Sequence, residues 1–166
     1  LADVVGSLPK CFDKKEYDVR VIIPKYMCMN QKWKDKMTYL NHFYMDLCWR
    51  RQYVGIMEME YEGVKYYFID NEYYFAGDKP YSDVRYDLEK FAFFSRAVLS
   101  ALPVIDFRPD VIHCHDWQTG LIPVYLHDSF AYGDFYRGIK SIMTIHNLKF
   151  QGVWDIDTIK DIAGLS

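Results

Sequence analysis

Two short apolar runs, each ending abruptly in polar residues that include histidine, constrain the fold of this chain most. The first run lies in Arg108–Leu126, and a second run with the same pattern lies in Lys140–Gly152. Short β-branched runs without alternating polar residues are typical of strands buried on both faces of a parallel sheet. Between them Thr119–His127 has helical character, with Gly120 and Pro123 near its first turn. The pattern predicts a β-α-β unit whose two strands both end in histidine.

The ends of these two strands are where the sequence predicts function. In open α/β sheets, ligands bind in the crevice beyond the carboxyl ends of the strands. His115 and Asp116 follow the first predicted strand, and His146 and Asn147 follow the second. We therefore expect these four side chains to line one crevice.

The composition is that of a soluble globular domain and excludes several classes of partner. The 166 residues are predicted to form one domain, which can bury roughly 70% of the surface of its unfolded chain. Net charge is −3 and the only basic run is Lys32–Lys36, so nucleic acid and membranes are not expected as partners. No apolar stretch approaches the roughly 20 residues of a membrane helix. Aromatic residues make up 18%; such rings suit carbohydrate faces, but most are expected to pack the core.

The cysteines predict a reducing compartment. All four are widely spaced and form no C-x-x-C pair: Cys11, Cys28, Cys48 and Cys114. Reduced thiols in the cytoplasm are the simplest interpretation.

Hydrophobic periodicity predicts the remaining elements. The predicted strands are Tyr17–Pro24, the antiparallel pair Tyr39–Trp49 and Arg51–Glu62, and Val64–Ile69; the predicted helices are Leu1–Lys10, Asp87–Ile105 and Asp155–Ile162. The polar segment Tyr26–Thr38 is expected to be a mobile loop. Pro103 should end or bend the long helix.

A metal site and a structural role are the two interpretations of the histidine pair. His113 and His115 lie two apart on a strand and share a face, and with Asp116 they have a common zinc-ligand spacing. In the alternative, one imidazole packs under the sheet while the other holds a loop. A barrel metallohydrolase would need about 250 residues, and no clustered His or Cys supplies a further ligand. We therefore expect no bound metal.

The polar pairs after the two strands also have two interpretations each. Asp116 could simply cap the following helix, or it could bind sugar hydroxyls beside the ring of Trp117. His146 could be buried without function, or it could join Asp116 and Asn147 in a site. The matching positions of the two pairs at neighbouring strands favour the functional interpretation.

Seven segments in a fixed order resemble one enzyme family. They read LADVVGSLPK, DVRVIIPKY, YFIDNEYYF, PYSD, EKFAFFSRAVLSAL, RPDVIHCHDWQTGLIPVYL and TIHNLKFQG. Together they closely resemble bacterial glycogen synthase and plant starch synthase, which are retaining glucosyltransferases of the two-domain GT-B fold that use ADP-glucose. The resemblance implies a Rossmann-like three-layer α/β/α sandwich, the N-terminal domain of a GT-B fold, with a mostly parallel sheet and an antiparallel hairpin.

The resemblance also implies an activity and its partners. The parent enzyme would transfer glucose from ADP-glucose to the non-reducing end of an α-1,4-glucan, glycogen or starch, with retention and without a cofactor. It would act in the cytoplasm, or in the plastid of a plant. Alternatives are another retaining GT-B transferase related to sucrose synthase, and a glucan-binding module without catalysis.

Residues 1–166 correspond to the N-terminal, acceptor-side domain of that family. Relative to the family they lack a first strand with its Lys-x-Gly-Gly loop and the C-terminal nucleotide-binding domain. We therefore expect a strand from another chain, or residues before Leu1, to fill the sheet, and we expect the chain by itself to be inactive.

The resemblance assigns roles to particular residues. Its catalytic residues are His146 and Asp116, and its substrate-binding residues are Asp3, Tyr81 and Asn147, to which the ring of Trp117 is added from its place beside Asp116. A transition state with cationic character would be stabilised by such fixed dipoles and carboxylates.

Overall fold

The computed structural model of the chain describes residues 2–165. Their contacts divide the chain into two compact units. The first unit holds residues 2–43 and 53–80, and the second holds residues 44–52 and 81–165. The assignment of residues 1–166 to one domain stays a prediction.

The first unit contains a mixed sheet. Its strands are β1 (Arg20–Pro24), β4 (Val64–Asp70) and most of β2 (Thr38–Leu47) and β3 (Arg50–Tyr61), in the order β1-β4-β3-β2. β1 is parallel to β4, and β4 is antiparallel to β3. The two-residue turn between β3 and β4 has positive φ at both Glu62 and Gly63, as hairpin turns of the primed type require. β3 and β4 therefore form a hairpin, and the predicted pair Tyr39–Trp49 and Arg51–Glu62 corresponds to β2 and β3, which are neighbours in the same mixed sheet.

Two helical segments complete the first unit. Helix α1 (Ala2–Ser7) continues into a 3-10 turn at Leu8–Cys11, as predicted, while Leu1 lies outside the described residues. Helix α2 (Gln31–Lys34) lies in the segment predicted to be a loop. Its four residues are too few to show a helical period, but Asn30 caps it by accepting a hydrogen bond from the Lys32 amide.

The predicted β-α-β unit is present in the second unit. Strands β5 (Val111–His115) and β6 (Lys140–Thr144) are parallel, and His115 pairs with Thr144 in their register. The 3-10 turn Trp117–Thr119 and helix α4 (Leu121–Asp128) connect them. The polar residues that follow both strands therefore emerge at one edge.

The long helix of the second unit begins earlier than its periodicity predicts. Helix α3 (Val84–Val104) starts three residues before Asp87 because the Asp83 carboxylate accepts hydrogen bonds from the amides of its first turn. Pro103 lies inside it, one residue before the last. Helix α5 (Ile156–Ala163) follows Asp155, as predicted. No helix within residues 2–165 is long and apolar enough to cross a membrane.

The expectation that both strands of the β-α-β unit are buried on both faces is wrong for the described chain. In β5 only Cys114 is buried, and in β6 Ile142 is 52% exposed and Met143 is 39% exposed. Within residues 2–165 these two strands form a separate two-stranded sheet, and no third strand pairs with either of them. Apolar runs of this kind are typical of strands covered on both faces, but residues 2–165 leave much of β5 and β6 exposed.

Candidate functional site

The ends of β5 and β6 are joined through Asp116 and His146. Asp116 Oδ1 accepts a hydrogen bond of 2.6 Å from the His146 backbone amide, and the Asp116 amide donates to the Thr144 carbonyl at 2.9 Å. The Asp116 carboxylate makes no capping bond to the helical turn that follows it. The simple helix-cap interpretation of Asp116 is therefore wrong, because the carboxylate is engaged by the neighbouring strand's continuation.

The backbone of Asp116 adopts a conformation that only glycine reaches easily. Its φ is 59° and its ψ is 179°. Such a conformation costs about 1–3 kcal/mol and persists where surrounding contacts over-determine it. Here the Thr119 hydroxyl and amide both bond to the Asp116 carbonyl, at 3.2 and 3.1 Å. Asp116 is also only 7% exposed, so its carboxylate is held in a fixed direction.

Three imidazoles form a row beside Asp116. His115 Nδ1 lies 2.9 Å from His146 Nε2, and the ring centroids of His113 and His115 are 4.2 Å apart. His113 Nε2 in turn lies 2.7 Å from the Thr144 hydroxyl. Burial lowers the pKa of His115, and the adjacent His113 and His146 lower it further. His115 therefore favours the neutral form.

A hydrogen bond holds Tyr81 against the helical turn that follows Asp116. Gln118 Nε2 donates to the Tyr81 hydroxyl at 2.8 Å, and the Tyr81 ring lies 6.2 Å from that of Phe91. Tyr81 is 51% exposed, so its ring is accessible to a ligand. The sequence did not predict Gln118 as part of the site. The one sequence feature that could have indicated it is its position two residues after Asp116.

Trp117 has packing contacts on two sides. Its ring meets Phe91 edge to face at 5.1 Å, and a Cβ at Gly152 would lie 2.7 Å from Trp117 Cδ2. Gly152 has φ of +60°, so both its conformation and the Trp117 ring require glycine. The glycine that ends the TIHNLKFQG segment therefore allows the loop after β6 to close over Trp117.

An apolar cavity of about 280 Å³ lies beside Trp117. It is lined by side chains of α3, α4, α5 and the loop after β6, including Leu88, Leu121, Phe150 and Ile159. This lining has no charged side chain that could bind a sugar or a phosphate. The cavity therefore adds no polar ligand-binding group to the site at Asp116 and His146.

The other two predicted substrate-binding residues lie in different surroundings. Asn147 follows His146 and is exposed, and its Oδ1 accepts a hydrogen bond from the Lys149 amide. Asp3 is exposed on α1 in the first unit. The structure therefore brings together Asp116 and His146 by direct contact, whereas the roles of Asp3 and Asn147 stay predictions.

Within residues 2–165, Cys114 is a poor nucleophile and the histidines belong to no metal-binding cluster. Burial raises the pKa of Cys114 to about 12, so its thiol stays protonated at neutral pH. Among the residues that the structure describes, no group of three His, Cys, Asp or Glu side chains could hold a metal ion.

Comparison with known proteins identifies similar sequences over the whole chain. A family model described as the starch synthase catalytic domain matches residues 1–166. Glycogen synthase from Lachnoclostridium phytofermentans is 67% identical over 166 residues, which is all of this chain and 35% of that protein. Glycogen synthase from Lachnospira eligens is 67% identical over 165 residues, which is 99% of this chain and 34% of that protein. This chain thus spans about a third of the length of these curated relatives.

A solved structure is similar in fold. The catalytic domain of starch synthase IV from Arabidopsis thaliana, bound to ADP and acarbose, matches with a TM-score of 0.81 and 28% identity. The match covers 99% of this chain and 34% of that one. The α/β, Rossmann-like class expected of one half of a GT-B fold is therefore confirmed.

Proposed function

This chain belongs to the starch synthase catalytic domain family, and from that premise we propose that the protein containing it is a glycogen or starch synthase. The reaction is transfer of glucose from ADP-glucose to the non-reducing end of an α-1,4-glucan with retention of configuration. The chain contributes the acceptor-side wall of the site.

The observation that carries the proposal is the junction of Asp116 and His146. Oδ1 of Asp116 is occupied by the His146 amide, and within residues 2–165 nothing hydrogen-bonds to Oδ2. Oδ2 and the His146 ring are therefore the groups offered to sugar hydroxyls. A transition state with cationic character is stabilised by dipoles and carboxylates that are fixed before the substrate binds. The over-determined backbone of Asp116 supplies that fixation.

The remaining residues would bind substrate around this pair. The exposed Tyr81 ring, held by Gln118, supports a contact with a sugar face. Trp117 would present the part of its ring that Phe91 and Gly152 leave accessible. Asp3 and Asn147 are proposed to contact the donor and the transferred sugar, respectively, by resemblance to the family.

Donor and compartment are part of the same proposal. The similar starch synthase IV domain is bound to ADP, which supports an adenine nucleotide as the donor's carrier. The cytoplasm is proposed as the compartment because all four cysteines are free and fit a reducing environment.

The test is incorporation of labelled glucose into glycogen by the full-length protein that contains this chain. We expect turnover with ADP-glucose, slower turnover with UDP-glucose, and none by residues 1–166 alone, because an open site leaves its charged groups in water. Binding of maltooligosaccharide without turnover by the full-length protein would instead identify a glucan-binding module. Release of sucrose from nucleotide-glucose and fructose would place it among sucrose-synthase relatives.

A further inference from the structure

His146 is held at two points by two consecutive residues of the neighbouring strand. Asp116 fixes its main chain through the 2.6 Å bond to the His146 amide. His115 contacts its side chain through the 2.9 Å approach of Nδ1 to His146 Nε2, and the two rings lie 19° from parallel. The main-chain contact sets where the residue lies, and the side-chain contact sets how the imidazole is turned.

We propose that His115 is a positioning residue for His146: the two imidazoles share a single hydrogen, which fixes the orientation of the His146 ring and couples its tautomer to that of His115. The inference rests on the proposed function for its catalytic consequence, but the arrangement itself can be measured without activity.

The hydrogen count follows from the chemistry of imidazole. A neutral imidazole has one N–H donor and one acceptor nitrogen, and a cationic imidazole has two donors. A bond between His115 Nδ1 and His146 Nε2 therefore needs exactly one N–H between them. If the hydrogen is on His115 Nδ1, a neutral His146 carries its own hydrogen on Nδ1. If it is on His146 Nε2, His146 Nδ1 is an acceptor, so the tautomers of the two rings are coupled. If both rings were cationic, two N–H groups would face each other and the bond would be lost.

The surroundings of His115 support a fixed ring. His113 lies against its other side with ring centroids 4.2 Å apart, and His113 is itself bonded to Thr144 on the neighbouring strand. The charged and titratable side chains around His115 in the second unit are His113, His146 and Asp116. None of residues 2–165 hydrogen-bonds to His146 Nδ1, so this nitrogen is the one that can reach a sugar hydroxyl.

The direct test is nitrogen NMR of the histidine rings in the 166-residue chain. Long-range proton–nitrogen spectra distinguish the two neutral tautomers of each of the five histidines. We expect a hydrogen-bonded Nε2 signal of His146 in the unmodified chain and its loss in His115→Phe, which keeps a ring beside His113 but has no nitrogen. His115→Asn should restore the hydrogen-bonded Nε2 signal, because an amide can donate or accept at the position of Nδ1.

The matched control is His127→Gln, since His127 is exposed at the end of α4 and lies outside the row. This variant should leave the His146 spectrum unchanged. A His146 Nε2 signal that is the same in the unmodified chain, His115→Phe and His115→Asn would overturn the inference. Because Asn and Phe variants are compared with each other, a general loss of structure cannot produce the expected pattern.

The catalytic consequence is measured in the full-length protein. We expect His115→Phe to lower kcat about 10- to 100-fold with little change in KM for glucan, because a misplaced group loses transition-state contacts first. His115→Asn should recover most of that loss, and His127→Gln should match the unmodified enzyme. Equal kcat in Phe and Asn variants would contradict the positioning role. If the unmodified protein transfers no glucose, the proposed function fails while the NMR result still decides the inference.

Discussion

The backbone amide of His146 donates a hydrogen bond to the Asp116 carboxylate, although 30 residues separate the two in the chain. The bond joins the points where two parallel strands end, and it engages one carboxylate oxygen, while none of residues 2–165 hydrogen-bonds to the other. A residue that binds the neighbouring backbone through Oδ1, and for which we propose substrate binding through Oδ2, should respond differently to loss of its charge and to loss of its side chain.

We therefore expect Asp116→Asn and Asp116→Ala to differ. The amide oxygen of asparagine can still accept the His146 N–H, so Asp116→Asn should lower turnover by orders of magnitude without lowering the free energy of unfolding much. Asp116→Ala should in addition destabilise the chain by about 1–3 kcal/mol, because the bond is lost. The measurements are kcat in the full-length protein and urea unfolding of the chain. Unchanged kcat in Asp116→Asn would return Asp116 to a purely structural role.

His146→Ala should also lower turnover by orders of magnitude in the full-length protein, with a modest effect on glucan affinity. Its backbone amide remains, so the bond to Asp116 survives and only the imidazole is removed. Steady-state kinetics with varied glucan separate the two effects. A rise in KM with unchanged kcat would instead indicate that the ring contributes only to binding.

Gly152→Ala should destabilise the loop after β6. The new methyl group would overlap the Trp117 ring, at a cost of about 1–3 kcal/mol from overpacking. Gly6→Ala is the matched control, because Gly6 lies in α1 with nothing within 4 Å of its Cβ position, and alanine there should be neutral or stabilising by up to about 1 kcal/mol. Urea midpoints compare the two. If Gly152→Ala is as stable as Gly6→Ala, the contact with Trp117 is wrong.

The stability of the chain should depend on pH through His115. Its pKa is lowered in the folded chain, mainly by burial, so near pH 6 the unfolded state binds more protons than the folded state. The contribution of His115 to the free energy of unfolding is fully present above the ordinary histidine pKa of about 6.5. It is lost as pH falls through the lower pKa of the folded state. Urea unfolding between about pH 8 and about pH 5 should show a shallower pH dependence in His115→Asn than in the unmodified chain or in His127→Gln. Equal slopes in all three would contradict the lowered pKa.

Loss of the buried ion pair of α3 should lower the free energy of unfolding far more than loss of an exposed pair. Lys90 Nζ lies 2.8 Å from Asp87 Oδ1, with side chains 2% and 6% exposed, and Asp87 also accepts hydrogen bonds from the Ser82 amide and hydroxyl. Lys90→Met would leave a buried carboxylate without its cation, which costs about 3–5 kcal/mol. The control is Arg137→Ala, whose pair with Asp134 is exposed and is worth at most about 1 kcal/mol.

The outcome of the Lys90 comparison also bears on Tyr81, which precedes Ser82. If Lys90→Met and Arg137→Ala have the same urea midpoint, the buried pair does not anchor this segment. A large loss in Lys90→Met that is recovered by adding Asp87→Leu would confirm that the unpaired carboxylate is the cause.

The sequence by itself determined the β-α-β unit, the long helix and the family, because these depend on local periodicity and on an ordered set of motifs. The runs that became β5 and β6 were recognisable from their apolar residues, and the edge where Asp116 and His146 meet followed from strand direction. Element boundaries were less accurate where a side-chain cap decided them, as at Asp83.

Only the tertiary structure decided what each side chain at that edge contacts. The register of β5 against β6 brings His115 beside Thr144, and this places His146 within reach of both Asp116 and His115. Neither the strained φ of Asp116 nor the packing of Trp117 on Gly152 leaves a periodic signal in the sequence. Such contacts join residues some 30 positions apart, and their geometry is set by register and packing rather than by local propensity.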